Sequence, residues 1–129
     1  MGQIMIDAKN IVKDFKITKG LFLGKENLRA VDGVSLQVSR GEVLAIVGES
    51  GCGKTTLAKI LLGLLRPERG TIELCGFKID QIPRLELAKI VQPIFQDPSS
   101  SLNPRRTIGS MIALPMRVQG EKASVALNK

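Results

Sequence analysis

The octapeptide Gly48–Thr55, which reads GESGCGKT, is the feature that most constrains how this chain can fold. It has the spacing G-x-x-x-x-G-K-[ST], in which glycines let the backbone curl until successive N–H groups point inward at phosphate oxygens. The apolar run Val43–Val47 precedes it, and apolar residues recur at helical spacing from Lys54 to Leu65. This order of strand, glycine-rich loop and helix predicts a phosphate-binding loop rather than an ordinary turn.

Individual residues of this loop have predicted tasks. Lys54 would place its ammonium against the β and γ phosphates, and Thr55 would offer its hydroxyl to a magnesium ion. The helix that begins here would add the positive end of its dipole. The predicted ligand-binding residues of the loop are Gly48, Glu49, Ser50, Gly51, Cys52, Gly53, Lys54, Thr55 and Thr56.

The remaining hydrophobic patterns predict an α/β fold. Val43–Val47 is apolar throughout, as in a parallel strand that is buried on both faces. In contrast, Gln3–Val12 and Val34–Val38 alternate between apolar and polar residues, which predicts an antiparallel pair joined by an exposed loop over Lys16–Arg29. Further predicted elements are a strand at 71–74, a helix at 83–90, an edge or interrupted strand at 91–95, and a helix at 108–114 with Thr107 as its N-cap.

Charge and composition narrow the class of partner. The 19 basic and 12 acidic residues give a net charge of +7, which is compatible with nucleic acid, anionic lipid or a solvated basic surface. The four phenylalanines are widely scattered, which favours the solvated surface, so no nucleic-acid partner is predicted. Apolar runs are too short to cross a bilayer, and Cys52 and Cys75 have no metal-ligand spacing. These features predict a cytoplasmic protein without a disulfide.

Several separated segments together resemble the ATP-binding subunits of ABC transporters, most closely those of bacterial dipeptide, oligopeptide or nickel importers. These segments are Ala30–Ser35 (AVDGVS), the glycine-rich loop, Ile94–Pro98 (IFQDP), Ser101–Arg105 (SLNPR) and Thr107–Gly109 (TIG). The resemblance spans residues 3 to 116. It implies the N-terminal half of a P-loop NTPase domain over residues 1–116, with a parallel core sheet and an antiparallel β subdomain. Residues 117–129 are expected to form an unstructured or non-family tail.

The resemblance also implies ATP and Mg²⁺ as cofactors and assigns further site residues. Gln96 looks like the glutamine of the Q-loop, which contacts magnesium or the attacking water and reports the nucleotide state to the membrane subunit. Lys54 and Gln96 are therefore the expected catalytic residues, with Thr55 and Gln96 as magnesium ligands. Phe15 lies where the family has an aromatic residue that stacks on adenine. Phe22 is a competing candidate, and a core or loop role for Phe15 is the alternative.

The implied partners are a second ABC ATPase subunit and transmembrane permease subunits, with the protein peripheral on the inner face of the cell membrane. After Gln96 the chain has no acidic strand motif and no Leu-Ser-Gly-Gly-Gln signature, and it contains no histidine. The main hypothesis is an ATP-binding importer component, truncated after the Q-loop region. The alternatives are a truncated nucleotide-binding module without turnover and an unrelated P-loop kinase or GTPase, which the missing N-K-x-D motif disfavours. Without its neighbours, the strand Val43–Val47 is expected to expose an apolar face.

Overall fold

The computed structural model describes residues 2–18, 25–97 and 102–120, which fall into two compact units, residues 1–91 and residues 92–129. In the described part of the first unit, four strands form one sheet in the order β2-β1-β3-β4. The elements of that unit are β1 (Ile4–Thr18), β2 (Lys25–Ser39), α1 (Lys54–Leu61), β3 (Arg69–Leu74), β4 (Phe77–Lys78), a 3-10 turn (Ile79–Gln81) and α2 (Arg84–Ile90). The second unit contains α3 (Ile108–Ile112) and α4 (Leu114–Val118).

The predicted antiparallel pair is confirmed by β1 and β2. Ala8 faces Leu36, and the ladder continues to the pair of Phe15 and Leu28 near the far end. Both strands extend into the predicted loop at 16–29, so that the loop prediction was too long. The composition of the segment is polar and glycine-containing, but cross-strand pairing holds residues 16–18 and 25–29 extended.

A glycine supports the centre of the sheet, where β1 lies between β2 and β3. The register of β1 shifts between Ala8 and Ile11, and Asn10 adopts a φ of 51° at this irregularity. Gly70, at the start of β3, has a φ of 100°, and a Cβ there would lie 2.6 Å from the carbonyl oxygens of Lys9 and Asn10. Only glycine fits this backbone conformation and this close approach.

One face of the sheet packs against α1 to form the core. The core cluster consists of Ala8, Ile11, Val31, Leu57, Ile60 and Ile72. Ile60 is fully buried, and burying one such side chain stabilises the fold by about 1.5–3 kcal/mol. Because Leu57 and Ile60 fix α1 on the sheet, the loop that immediately precedes α1 is also held next to β2.

The prediction of a buried strand at Val43–Val47 is wrong for the described structure. Residues 42–49 belong to no helix or strand, and Val43 and Val47 are 93% and 91% exposed. A strand that is buried on both faces needs neighbours that bond to its backbone and cover its side chains. No strand among the described residues pairs with this segment. The sheet that is observed is antiparallel throughout.

The predicted helices are present, with changed ends. α2 begins directly after Pro83, and the N-cap at Thr107 is confirmed because its hydroxyl accepts a hydrogen bond from the Ser110 N–H at 3.3 Å. α3 ends at Ile112, two residues earlier than predicted, and residues 91–95 form no strand. The predicted domain boundary at 116 falls within α4 and stays a prediction. No helix in the described segments is long and apolar enough to span a membrane.

Candidate functional site

A cavity of about 450 Å³ lies beside the glycine-rich loop and the paired ends of β1 and β2. Its volume falls within the range of small-molecule sites. The structure therefore brings Phe15 together with most of the predicted loop residues, although Gly48 and Glu49 are outside the lining. The lining residues are Phe15, Leu28, Arg29, Ala30, Ser50, Gly51, Cys52, Gly53, Lys54, Thr55 and Thr56.

The loop has a backbone that only glycines can supply at two positions. Gly51 and Gly53 have φ angles of 82° and 97°. A Cβ on Gly53 would also lie 2.1 Å from the carbonyl oxygen of Ala30 in β2, whereas a Cβ on Gly51 would meet nothing within 4 Å. Gly53 therefore sets how closely the loop approaches the sheet, and Gly51 only sets the direction of the chain.

Free backbone donors are concentrated at the start of α1. The Leu57 N–H donates to the Gly53 carbonyl at 2.9 Å, which is the first bond of the helical ladder. The preceding N–H groups of Lys54, Thr55 and Thr56 have no acceptor among the described residues. These groups lie at the positive end of the helix dipole and line the cavity, an arrangement suited to an anion.

The side chain of Lys54 folds back onto its own loop. Its ammonium donates to the carbonyl oxygens of Gly48 at 2.7 Å and Glu49 at 2.6 Å, and lies 3.5 Å from the Cys52 sulfur. These bonds hold the first half of the loop against the start of α1. Phosphate oxygens form stronger, charge-assisted bonds with an ammonium than neutral carbonyls do, so an anion in the cavity would compete for this group.

The sheet contributes residues to the cavity that no sequence motif predicts. Leu28 faces Phe15 across the ladder, and Arg29 and Ala30 follow it along the cavity wall. Arg29 Nε donates to a carboxylate oxygen of Asp14 at 3.0 Å, and this bond raises the pKa of the guanidinium. The register of β1 against β2, which sequence periodicity does not specify, was the missing signal. Phe22, the competing aromatic residue, lies outside the described residues.

Sequence comparison identifies the family of this chain. The sequence model of the family described as "ABC transporter" matches residues 31–129. The chain belongs to the ABC transporter family. One relative is the di/tripeptide transport ATP-binding protein DppF of Pseudomonas aeruginosa, with 37% identity over 119 residues. The oligopeptide transport ATP-binding proteins OppF of Salmonella typhimurium and AppF of Bacillus subtilis are both 39% identical to it.

This ABC-family chain is shorter than the proteins that it matches. The alignments cover 90%, 95% and 97% of the chain but only 37%, 38% and 42% of DppF, OppF and AppF, respectively. A solved structure of the ATP-binding cassette MJ0796, a dimer bound to ADP and Pi, superposes with a TM-score of 0.71 at 26% identity. This match covers 96% of the chain and 53% of the MJ0796 chain, which agrees with an ABC ATPase fold.

Two predicted roles of the family site are not tested by the structure. Gln96 is exposed, belongs to no helix or strand, and lies in the second unit. Thr55 is exposed in the first turn of α1. Within residues 2–18, 25–97 and 102–120, no cluster of three histidine, cysteine or acidic residues could hold a metal ion. The roles of Gln96 and Thr55 therefore remain predictions.

Proposed function

We propose that this chain binds Mg-ATP through Gly48–Thr56 and is part of the ATP-binding component of an ABC importer for peptides or a similar solute. The observation that carries the proposal is the cavity beside the loop, where free N–H groups at the start of α1 and the Lys54 ammonium are placed together. A glycine cradle, a cation and a helix N-terminus fit a polyphosphate better than any neutral ligand.

The loop, Phe15 and Gln96 have separate proposed tasks. Lys54 exchanges its bonds to the Gly48 and Glu49 carbonyls for the β and γ phosphates, and the main-chain donors of Gly51–Thr56 hold the remaining oxygens. Phe15 offers a ring face to the adenine. Thr55 and Gln96 are the proposed magnesium ligands, and Lys54 and Gln96 are the proposed catalytic residues. Bound Mg²⁺ would supply charge neutralisation at the phosphates.

The proposed setting is that of an importer ATPase on the inner face of the cell membrane, paired with a second ATPase subunit and with permease subunits. The peptide-transport relatives and the dimeric MJ0796 structure support it. We further propose that residues 1–116 form the N-terminal half of an ABC ATP-binding domain and that residues 117–129 are an unstructured or non-family tail. In the complete domain, Val43–Val47 would join a parallel core sheet, which would cover the side chains of Val43 and Val47.

A second candidate is a nucleotide-binding module that does not turn over. One observation favours it for the 129 residues by themselves: no signature motif, acidic strand motif or histidine follows Gln96. Hydrolysis depends on groups that stabilise the transferring phosphoryl group, whereas binding depends mainly on the loop. Measured phosphate release, compared with equilibrium ATP binding, separates the two candidates.

The proposal is tested by calorimetric titration of the chain with ATP and Mg²⁺. Replacing Lys54 by Met removes a charged bond to phosphate, and we expect affinity to fall about tenfold to a hundredfold, given ~1.5–3 kcal/mol for such bonds. Lys59→Met, in the last turn of α1, is the matched control and should bind like the wild-type chain. Wild-type affinity in Lys54→Met, or no binding by the folded wild-type chain, would contradict the proposal.

A further inference from the structure

Lys13 lies against the aromatic ring of Phe15. The two residues are separated by one position on β1, in a stretch where the register of β1 against β2 shifts between Lys13 and Asp14. The Lys13 ammonium is 5.7 Å from the centroid of the ring, within the range of a cation–π contact. Phe15 lines the cavity and Lys13 does not, so the lysine contacts the ring from outside the candidate nucleotide site.

An ion pair holds the Lys13 ammonium in place. Its nitrogen is 2.8 Å from a carboxylate oxygen of Glu68, and the Lys13 side chain is only 13% exposed. The backbone of Glu68 is fixed, because its N–H donates to the Val12 carbonyl at 2.8 Å directly before β3 begins, although its side chain is 53% exposed. A chain of contacts therefore runs from the sheet through Glu68 and Lys13 to the ring of Phe15.

We propose that Lys13 is a positioning residue for the nucleotide base, an inference that rests on the proposed function. Phe15 is 38% exposed, and a ring at that exposure loses rotational freedom when a flat ligand stacks on it. Lys13 and Glu68 restrict the ring before the ligand arrives, and such preorganisation lowers the entropic penalty of binding. Lys13 should affect binding of the base and not of the phosphates, because its ammonium is paired with Glu68 and the residue lies outside the cavity lining.

Two ligands separate this role from phosphate binding. Mg-ATP carries a base and phosphates, whereas inorganic tripolyphosphate carries phosphates alone. Lys13→Gln removes the cation, and we expect the affinity for Mg-ATP to fall about two- to fivefold, with the affinity for tripolyphosphate unchanged. Lys13→Arg keeps a cation over the ring and should retain wild-type affinity for Mg-ATP. The control Lys9→Gln, on the same strand but paired with Asp7, should change neither affinity.

A double-variant cycle tests whether Lys13 acts through the ring. In a Phe15→Leu background, Lys13→Gln should cause no further loss of Mg-ATP affinity. Three results would each overturn the inference. The first is wild-type Mg-ATP affinity in Lys13→Gln, and the second is an equal loss of affinity for both ligands. The third is a full additional loss of Mg-ATP affinity when Lys13→Gln is added to Phe15→Leu. If thermal unfolding shows that Lys13→Gln is not folded, the variant Glu68→Gln, which removes the partner of the ammonium, provides the test. It must lower the affinity for Mg-ATP and leave the affinity for tripolyphosphate unchanged. A wild-type chain that binds neither ligand would refute the proposed function itself.

Discussion

Replacing Gly53 by Ala should displace the phosphate-binding loop from its position beside β2. Gly53 has a φ of 97°, where an L-residue is strained by about 1–2 kcal/mol. The added Cβ would also lie 2.1 Å from the Ala30 carbonyl oxygen, and a tolerable contact of 3.0 Å requires a shift of about 0.9 Å (3.0 − 2.1). The atom in the way belongs to the backbone of β2 rather than to a flexible side chain, so the loop must move instead.

The magnitude follows from a comparison with Gly51. Gly51→Ala introduces the same kind of strain at a φ of 82° but no contact within 4 Å, so we expect a five- to thirtyfold loss of ATP affinity, from about 1–2 kcal/mol. Gly53→Ala adds a displacement of about 1 Å in a site that depends on position, which costs on the order of a hundredfold. In either variant the loop without bound ATP can relax to a less strained conformation, so the strain lowers the affinity for ATP.

The assay is calorimetric titration of both variants with Mg-ATP, alongside circular dichroism and thermal unfolding to establish that each variant is folded. Gly51→Ala is the matched control, since it makes the same chemical change two residues away in the same loop. Equal affinities for the two variants would refute the view that contact between Gly53 and β2 positions the loop.

Three further predictions concern other parts of the first unit. Bound ATP should slow alkylation of the exposed Cys52 thiol, which lines the cavity; equal labelling rates by mass spectrometry would count against a formed site. The Lys9 ammonium, 2.9 Å from Asp7, holds the pKa of that carboxyl below 3.8. The pairing of Asp7 with Lys9 stabilises the fold fully above the pKa that Asp7 has in the unfolded chain. This stabilisation is lost as the pH falls through the lower pKa of Asp7 in the native state. Lys9→Gln should therefore raise the native pKa in an NMR titration and reduce this stabilisation at pH 5 to 7; an unchanged pKa would contradict the pairing. Gly70→Ala should lower the free energy of unfolding in urea by about 1–3 kcal/mol, because of its positive φ and the Asn10 carbonyl; wild-type stability would contradict this.

Sequence periodicity predicted the elements whose contacts are local or lie within the first unit. The alternation at Val34–Val38 and the helical spacing after Lys54 both depend on which face meets the core, and the sheet and α1 realise both patterns. The motif at Gly48–Thr55 also predicted a glycine-dependent backbone, which the φ angles of Gly51 and Gly53 confirm.

The misses have a common physical cause, namely partners that a local pattern does not specify. Leu28 and Arg29 join the cavity through the register of β1 against β2, which no short motif encodes. Val43–Val47 has the composition of a buried strand, but burial also depends on neighbouring strands, and none pairs with it among the described residues. Polar composition similarly concealed the continuation of β1 to Thr18.

NMR titration of the ¹⁵N-labelled chain with Mg-ATP reports which residues surround the bound nucleotide, and so shows whether the glycine-rich loop holds it. We expect saturable shifts of the amide signals of Gly51–Thr56 and Phe15, around the 450 Å³ cavity. A second cavity of about 520 Å³, bounded by Ile60, Ile72 and Leu87, should show none. If the loop signals do not shift, or if shifts are confined to the second cavity, the loop is not the nucleotide site.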